Sequence, residues 1–499
     1  MPSNYRKYPF FAHLFESQGI FYHYETSTQE IIALEPVMAV VLSCYADCQK
    51  GNVPDRVSSQ FRREEIQEAL WTIEQAAYTD GLFCRHRPHL VSGTRQENKP
   101  ENLQHLILTL TENCNLRCRY CLHGASLDWV RPHGNQSMTL ETALNATRYF
   151  LERCCTEDIP AVSFYGGEAL LQADLIQAVV AEVRNHPHGI NAHLVIDTNA
   201  VLLDEATIDM VVQNKMYLQV SLDGPREYHD RQRPDTRGAG TYEPIMKALD
   251  RLLSLDAMAH ERLSFICTVA PPVSLMELDQ FFGELPIFAR HGIKTNPNLR
   301  VNLANLNGQD WPATPEEFKK LADQLLDIRE YYFKEVAAGR RGSLGPVVKG
   351  LMEPGLFRLH HRSKAPIGET YTPGGNCKPG IRKLHVTVDG RLQPCERTGD
   401  SLEIGQLPGG IDSAAVVNLK EDFFNAVQNN CNDCWALRLC GVCYAGWAEY
   451  AGGQKKGSRL PQSVCNSVRH AVEQDLKLLV RILELPAGCR QYLDEVLIG

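Results

Sequence analysis

The spacing of apolar residues divides the chain into regions of different period. Near the start, "GIFYHYE" (Gly19–Glu25) and "EIIALEP" (Glu30–Pro36) read as strands, separated by the turn-like "TSTQ". "PVMAVVLSCYA" follows as an apolar helix. In "REEIQEALWTIEQAAYTDG" (Arg63–Gly81), Ile66, Leu70, Ile73 and Ala77 recur at helical spacing, and Gly81 fits a C-cap. The polar stretch Ser92–Asn102 reads as a linker.

From Leu103 to about Asn305 strand and helix patterns alternate. "LQHLILTLT", "AVSFYG", "AHLVIDT", "YLQVSLDG", "LSFICTVA" and "NLRVNLAN" are strand-like, with helical stretches such as "LETALNATRYFLERC" and "EPIMKALDRLLSL" between them. Six β/α units in series predict an α/β fold with a parallel sheet and right-handed crossovers. Sites in such folds lie at the C-terminal ends of strands, and the motifs described below fall at such ends. Next, Thr314, Pro315 and Glu317 form a capping box. Phe318, Leu321, Leu325, Ile328 and Tyr332 then make one core-facing helical stripe. Residues 340–376 are rich in Gly, Pro and Arg and read as loop.

Charge adds an exclusion. A net charge of −9 argues against a dedicated nucleic-acid binder. No apolar run reaches membrane-spanning length, and "MPSNYRKYPFFAHLF" lacks the features of a signal peptide, so the expected location is the cytoplasm, with no membrane partner.

The chain holds 17 cysteines. In a reducing compartment, clustered cysteines read as metal ligands or redox groups. Cys84, Cys154, Cys155, Cys267 and Cys489 are scattered and read as buried small hydrophobes, while Cys44 and Cys48 have the spacing of neighbours on one helix. Two groups are dense. "CNLRCRYC" places Cys114, Cys118 and Cys121 in one loop, and Cys431, Cys434, Cys440 and Cys443 crowd a second region. A 4Fe–4S cube takes four ligands; three close cysteines leave one iron open, and His123 is the only nearby residue at a natural spacing for a fourth. A zinc site, structural or catalytic, is the other reading of such a group.

The C-x3-C-x2-C spacing, with Tyr120 before the third cysteine, resembles the signature of the radical S-adenosylmethionine (radical SAM) superfamily. The resemblance implies that the open iron chelates the methionine part of S-adenosylmethionine. One-electron cleavage would then yield a 5′-deoxyadenosyl radical that takes a substrate hydrogen. "FYGGEALL" supplies Gly166, Gly167 and Glu168, the motif that meets the cofactor's amino group in the family, with Ala169 where proline is usual. "DTNA" supplies Asn199. "VSLDGPREYHDRQRP" resembles the peptide-modifying branch and implies ribose contact by Ser221 and carboxylate contact by Arg233.

The C-terminal cysteines resemble a SPASM domain, an auxiliary-cluster module of peptide maturases. Asp389-Gly390 is a hairpin turn between "LHVTV" and "RLQPC" that would bring Cys377 towards Cys395. By the family arrangement, Cys431, Cys434, Cys440 and Cys465 complete one 4Fe–4S cluster; Cys377, Cys395 and Cys443 hold another with three thiolates. "CGVC" departs from the usual C-x3-C ending, which bears on Cys443. A zinc ribbon is the alternative. Glu396, next to Cys395, stands where sulfatase-maturating relatives carry an aspartate base, and is equally well read as a solvated or Arg397-paired carboxylate.

The expectation is a partial (β/α)6 radical SAM barrel with small domains before and after it. Residues 1–90 resemble the small α+β leader-peptide recognition domains of peptide maturases and read equally well as a structural cap on the barrel; 103–310 would form the barrel, 311–369 a connector, and 370–499 the SPASM domain with a C-terminal helix. The implied cofactors are S-adenosylmethionine and three 4Fe–4S clusters. The implied partners are a peptide or small protein, with a leader, and a flavodoxin or ferredoxin donor. The expected reaction is thioether cross-linking. C–C cross-linking, formylglycine formation on a sulfatase and a non-enzymatic iron–sulfur or zinc scaffold are the alternatives.

Overall fold

The computed structural model describes residues 10–83, 85–94, 102–124, 132–154, 158–304, 313–374, 377–399, 402–450 and 459–495. Cys84, Cys155 and most of the expected linker lie outside them.

Three antiparallel strands open the chain, β1 (Ala12–Ser17), β2 (Ile20–Glu25) and β3 (Ile31–Leu34), in that spatial order. Strand β1 was not expected. Gln18 and Gly19 turn it into β2 with φ of 51° and 81°, the left-handed pair of a tight hairpin. The helix Arg63–Thr79 packs through buried Ile66 and Ile73 on the helix Pro36–Ser43, whose Val41 and Leu42 share the same core. Cys44 does not share one helix with Cys48. It joins Pro36–Ser43 to Tyr45–Gln49, and the two sulfurs lie 3.4 Å apart. Strand β1 also faces the C-terminal helix Gln462–Leu483. There His13 Nε2 meets Glu473 Oε2 at 3.0 Å, and the His13 ring stacks on Trp435 with centroids 3.9 Å apart.

Strand β4 (His89–Leu90) precedes six parallel strands: β5 (His105–Thr111), β6 (Ala161–Gly166), β7 (His193–Thr198), β8 (Tyr217–Ser221), β9 (Leu263–Val269) and β10 (Asn298–Leu303). They neighbour one another in sequence order, as a series of β/α units requires. A β-strand alternates its side chains between two faces. One face here is apolar and buried, with Leu106, Leu108, Val162, Phe164, Leu194, Ile196, Leu218, Val220 and Phe265 in the main core. The opposite face carries His105, Thr109, Ser163, Tyr165, Asp197 and Gln219, held level by the pairs Thr109–Tyr165 and Asp197–Gln219. It is the polar lumen of an open barrel.

Strand β11 (Thr370–Tyr371) pairs with β4. Strand β12 (Lys383–Val386) then lies parallel to β5 and turns at Gly390 into β13 (Arg391–Gln393). β14 (Gly405–Gln406) and β15 (Gly410–Ile411) extend the sheet to ten strands. The C-terminal hairpin is thus annealed to the first barrel strand. Because β13 runs against β12, Cys395 and Glu396 sit level with Lys383 and His105, at the N-terminal end of β5. The expectation that candidate motifs fall at C-terminal ends fails for these two residues.

Two further expectations are corrected. Residues 340–376 are not all loop: Pro346–His360 is a helix. Buried Val347, Val348, Met352, Leu356 and Phe357 drive it, although Pro354 lies within it. In the helix Pro315–Ala337 the capping box forms, and Ile328 and Tyr332 are buried, but Phe318 is 40% exposed. Cys154 and Cys267 are buried as expected; Cys489 is half-buried. No helix among the described residues is long and apolar enough to cross a membrane.

Candidate active site

The cysteine loop leaves the C-terminal end of β5. Gly166 and Gly167 end β6 directly beneath it. A Cβ on Gly166 (φ 139°) would lie 2.4 Å from the Thr111 carbonyl oxygen, and one on Gly167 would lie 2.2 Å from that of Asn113. These glycines therefore admit the loop's own backbone. The Gly167 and Glu168 N–H groups donate to those same two carbonyls at 2.9 and 3.0 Å.

Glu168 is buried. It accepts from the Leu170 N–H (3.0 Å), the Thr198 hydroxyl (2.7 Å) and the Asn199 N–H (2.8 Å). Burial pushes its carboxyl up, and these bonds work against that. Asn199 donates to the Asn115 side chain at 2.8 Å, which ties β7 to the cysteine loop.

Arg233 is buried beside Cys118. It donates to the Tyr120 hydroxyl, which donates to Asp223 at 2.7 Å. Its Nε has no hydrogen-bond partner among the described residues. A second set of bonds fixes the segment. The Asp223 N–H donates to His229 Nδ1 (3.3 Å), His229 Nε2 bonds the Thr241 hydroxyl (3.0 Å), and that hydroxyl donates to the Arg233 carbonyl (2.7 Å). Burial, then Arg233, lowers His229 to about 3, so its ring is neutral. Ser221 lies half-buried at the end of β8.

The structure brings the cysteines into three groups. Cys114, Cys118 and Cys121 lie within electrostatic reach of one another; burial pushes Cys118 up to about 12, against the pull of Arg233. Cys431, Cys434, Cys440 and Cys465 line one cavity. Asn430 donates to Cys465 Sγ (3.6 Å) and Arg469 to Cys434 Sγ (3.8 Å). Cys377, Cys395 and Cys443 face one another, and burial, then Glu396, pushes Cys395 up to about 12.

This donor chemistry fits iron–sulfur clusters. Buried thiols whose ionisation is opposed by burial and by each other call for a cationic partner. Among the described residues no three His, Cys, Asp or Glu side chains converge on a single-ion point. Thiolates of a cube sit on separate irons and need no such convergence, whereas a zinc site needs it.

At the other end of the lumen, Lys383 Nζ is 3.9 Å from Glu396 Oε2, and that oxygen makes no hydrogen bond among the described residues. His105 bonds Ser163 at 2.7 Å and is lowered to about 4 by burial, then Lys383. Sequence reasoning missed two residues here. His133 Nε2 lies 3.7 Å from Cys121 Sγ, and nothing in its spacing marks it. Asp197 projects into the lumen two residues before Asn199; its signal was an acidic residue at an inward position of a barrel strand.

Residues 108–279 match the model of the Radical SAM superfamily. The chain carries a radical SAM domain and is a radical SAM enzyme. Its relatives include a cysteine-type anaerobic sulfatase-maturating enzyme of Clostridium perfringens, 22% identical over 353 residues, 68% of this chain and 88% of that enzyme. An uncharacterized protein of Methanocaldococcus jannaschii is 28% identical over 229 residues, 45% of this chain and 72% of the relative. The fold is shared with the structure of anSMEcpe with bound AdoMet and Cp18Cys peptide, at TM-score 0.55 and 18% identity over 76% of this chain and 98% of that one. A radical SAM domain implies S-adenosylmethionine and an iron–sulfur cluster.

Proposed function

We propose that the chain matures a peptide or small protein by closing thioether bonds from substrate cysteine sulfur to carbon. Cys114, Cys118 and Cys121 would hold the first of three 4Fe–4S clusters. Tyr120, Gly166, Gly167, Glu168, Asn199, Ser221 and Arg233 would seat S-adenosylmethionine, and the unpartnered Arg233 Nε supports a carboxylate there. Bound at that end, the cofactor supplies one-electron chemistry that removes a hydrogen atom from the substrate. A flavodoxin or ferredoxin would bring the electron.

One observation carries the thioether reading. The lumen ends on Cys377, Cys395 and Cys443, while Cys431, Cys434, Cys440 and Cys465 line a separate cavity. A cube held by three thiolates has an iron left for a substrate thiolate, whose ionisation it would favour. Lys383 and Glu396 line the approach. The outer edge of β3 has no strand partner among the described residues, which supports leader binding by strand addition in the front unit.

Formylglycine formation is the second reading, favoured by the similarity to sulfatase-maturating enzymes and by a carboxylate, Glu396, directly after Cys395. Mass spectrometry after iodoacetamide and, separately, hydroxylamine separates the two. A thioether removes about 2 Da and one alkylatable thiol. An aldehyde that reacts with hydroxylamine, with other cysteines spared, would replace the thioether reading by the second.

A further inference from the structure

We infer that Asp197 is the proton acceptor of the reaction, a catalytic carboxylate of the lumen additional to Glu396. The inference rests on the maturase reading but not on which bond is closed.

Asp197 is an inward position of β7, level with Gln219 on β8, in the fifth position of a strand whose end also carries Asn199. It thus lies between the cysteine loop at one end of the lumen and Glu396 at the other. Its side chain is half-buried, so the lumen reaches it. Its carboxylate makes no hydrogen bond or ion pair with any described residue, unlike Glu168, which accepts three bonds, and Glu396, which has Lys383. An unpartnered carboxylate costs free energy where water is scarce, and a substrate donor would relieve that cost.

The charged groups around it set its poise. Glu168 at the end of β6, Arg300 from β10, Lys383 from β12 and Glu396 after β13 act on it, and Tyr165 from β6 shares the same field. Burial, then the Glu396 charge, raises Asp197 to about 7, with Arg300 and Lys383 pulling the other way. A general base works best with its pKa near the operating pH.

The chemistry requires such a base. Closing a C–S bond breaks a C–H and an S–H bond. The hydrogen atom from carbon would go to the radical that radical SAM activity supplies. One electron leaves to an acceptor of the iron–sulfur class, and the sulfur proton goes to the Asp197 carboxylate. Oxidation of a Cβ–XH group to an aldehyde equivalent releases the same hydrogen atom, electron and proton, so the assignment holds for either product.

Two measurements on reconstituted enzyme test it, using Asp197→Asn, which keeps side-chain size. First, infrared difference spectra between pH 6 and 8 should show a carboxylic acid band that titrates in wild type and is missing from the variant; identical spectra would overturn the assignment. Second, a panel of synthetic cysteine-containing peptides with deuterated carbon positions is incubated with both proteins. The variant should bind peptide and move deuterium into 5′-deoxyadenosine as wild type does. Product formed per deoxyadenosine should fall by about 10²-fold or more, with the rising limb of the pH–rate profile lost. Product within threefold of wild type, on an unchanged pH profile, would overturn it. Deuterium transfer by wild type without any two-hydrogen loss would overturn the maturase reading and, with it, the need for a proton acceptor.

Discussion

The Glu168 carboxylate accepts the backbone N–H of Asn199 at 2.8 Å, so a buried charge clamps the end of β6 to the end of β7. The Leu170 N–H and Thr198 hydroxyl share the same acceptor. Glu168→Ala would strand three buried donors. We expect a loss of about 2–5 kcal/mol in denaturant unfolding, with S-adenosylmethionine affinity reduced in the folded remainder.

Gly167→Ala tests the contact beneath the cysteine loop. Its Cβ would lie 2.2 Å from the Asn113 carbonyl oxygen, so the loop must shift. Overpacking of this kind costs about 1–3 kcal/mol. The expected outcome is lower iron content and at least tenfold weaker S-adenosylmethionine binding by equilibrium dialysis.

Replacing Cys114, Cys118 and Cys121 together by Ala should remove about four of about twelve irons and abolish cofactor cleavage. Iron assay and chromatography of 5′-deoxyadenosine check this. Unchanged cleavage would remove these residues from the cofactor-cleaving site.

Acid should loosen the front unit through Glu473. The hydrogen bond from His13, then Lys477, holds Glu473 down at about 2, below its ordinary value near 4.5. A depressed carboxyl contributes stability above its unfolded pKa and loses it as pH falls through its folded pKa. The contribution should therefore fade between about pH 4.5 and 2. Glu473→Gln should flatten that limb by about 1–2 kcal/mol, after discounting for partial solvation. Urea titrations at stepped pH measure it.

Strand addition at β3 predicts a local effect. Consecutive N–H groups of a strand point to opposite sides, so one of Ile32 and Ala33 faces away from β2. Of Ile32→Pro and Ala33→Pro, the outward one should weaken peptide binding at least tenfold while cofactor cleavage without peptide continues. Deleting residues 1–90 is a poorer test, because His13 stacks on Trp435 next to Cys434 and Thr26 donates to the Trp435 carbonyl at 2.8 Å. That deletion should also release iron from the Cys431–Cys465 group.

The barrel strands were legible because period-two alternation and the flanking helical repeats agree at every unit. The cysteine loop was legible from spacing alone. Strand β1 was not, since His13 breaks its apolar pattern and finds its partner, Glu473, only in tertiary structure. The Pro346–His360 helix was hidden by Gly350, Pro354 and Gly355, whose poor propensities are outweighed by the packing of Val347, Met352 and Leu356. Asp197 could be read as inward-facing, but its environment comes from Lys383 and Glu396, far along the chain.

The pairing of β12 with β5 also limits how such a chain can be recombined. A protein cut before residue 377 would expose the amide edge of β5 from His105 to Leu108, a sticky surface that invites aggregation. Chimeras with relatives should therefore carry β5 and the Lys383–Gln393 hairpin from the same parent. Splicing the C-terminal module on as an independent cassette should yield insoluble material even if every cysteine is retained.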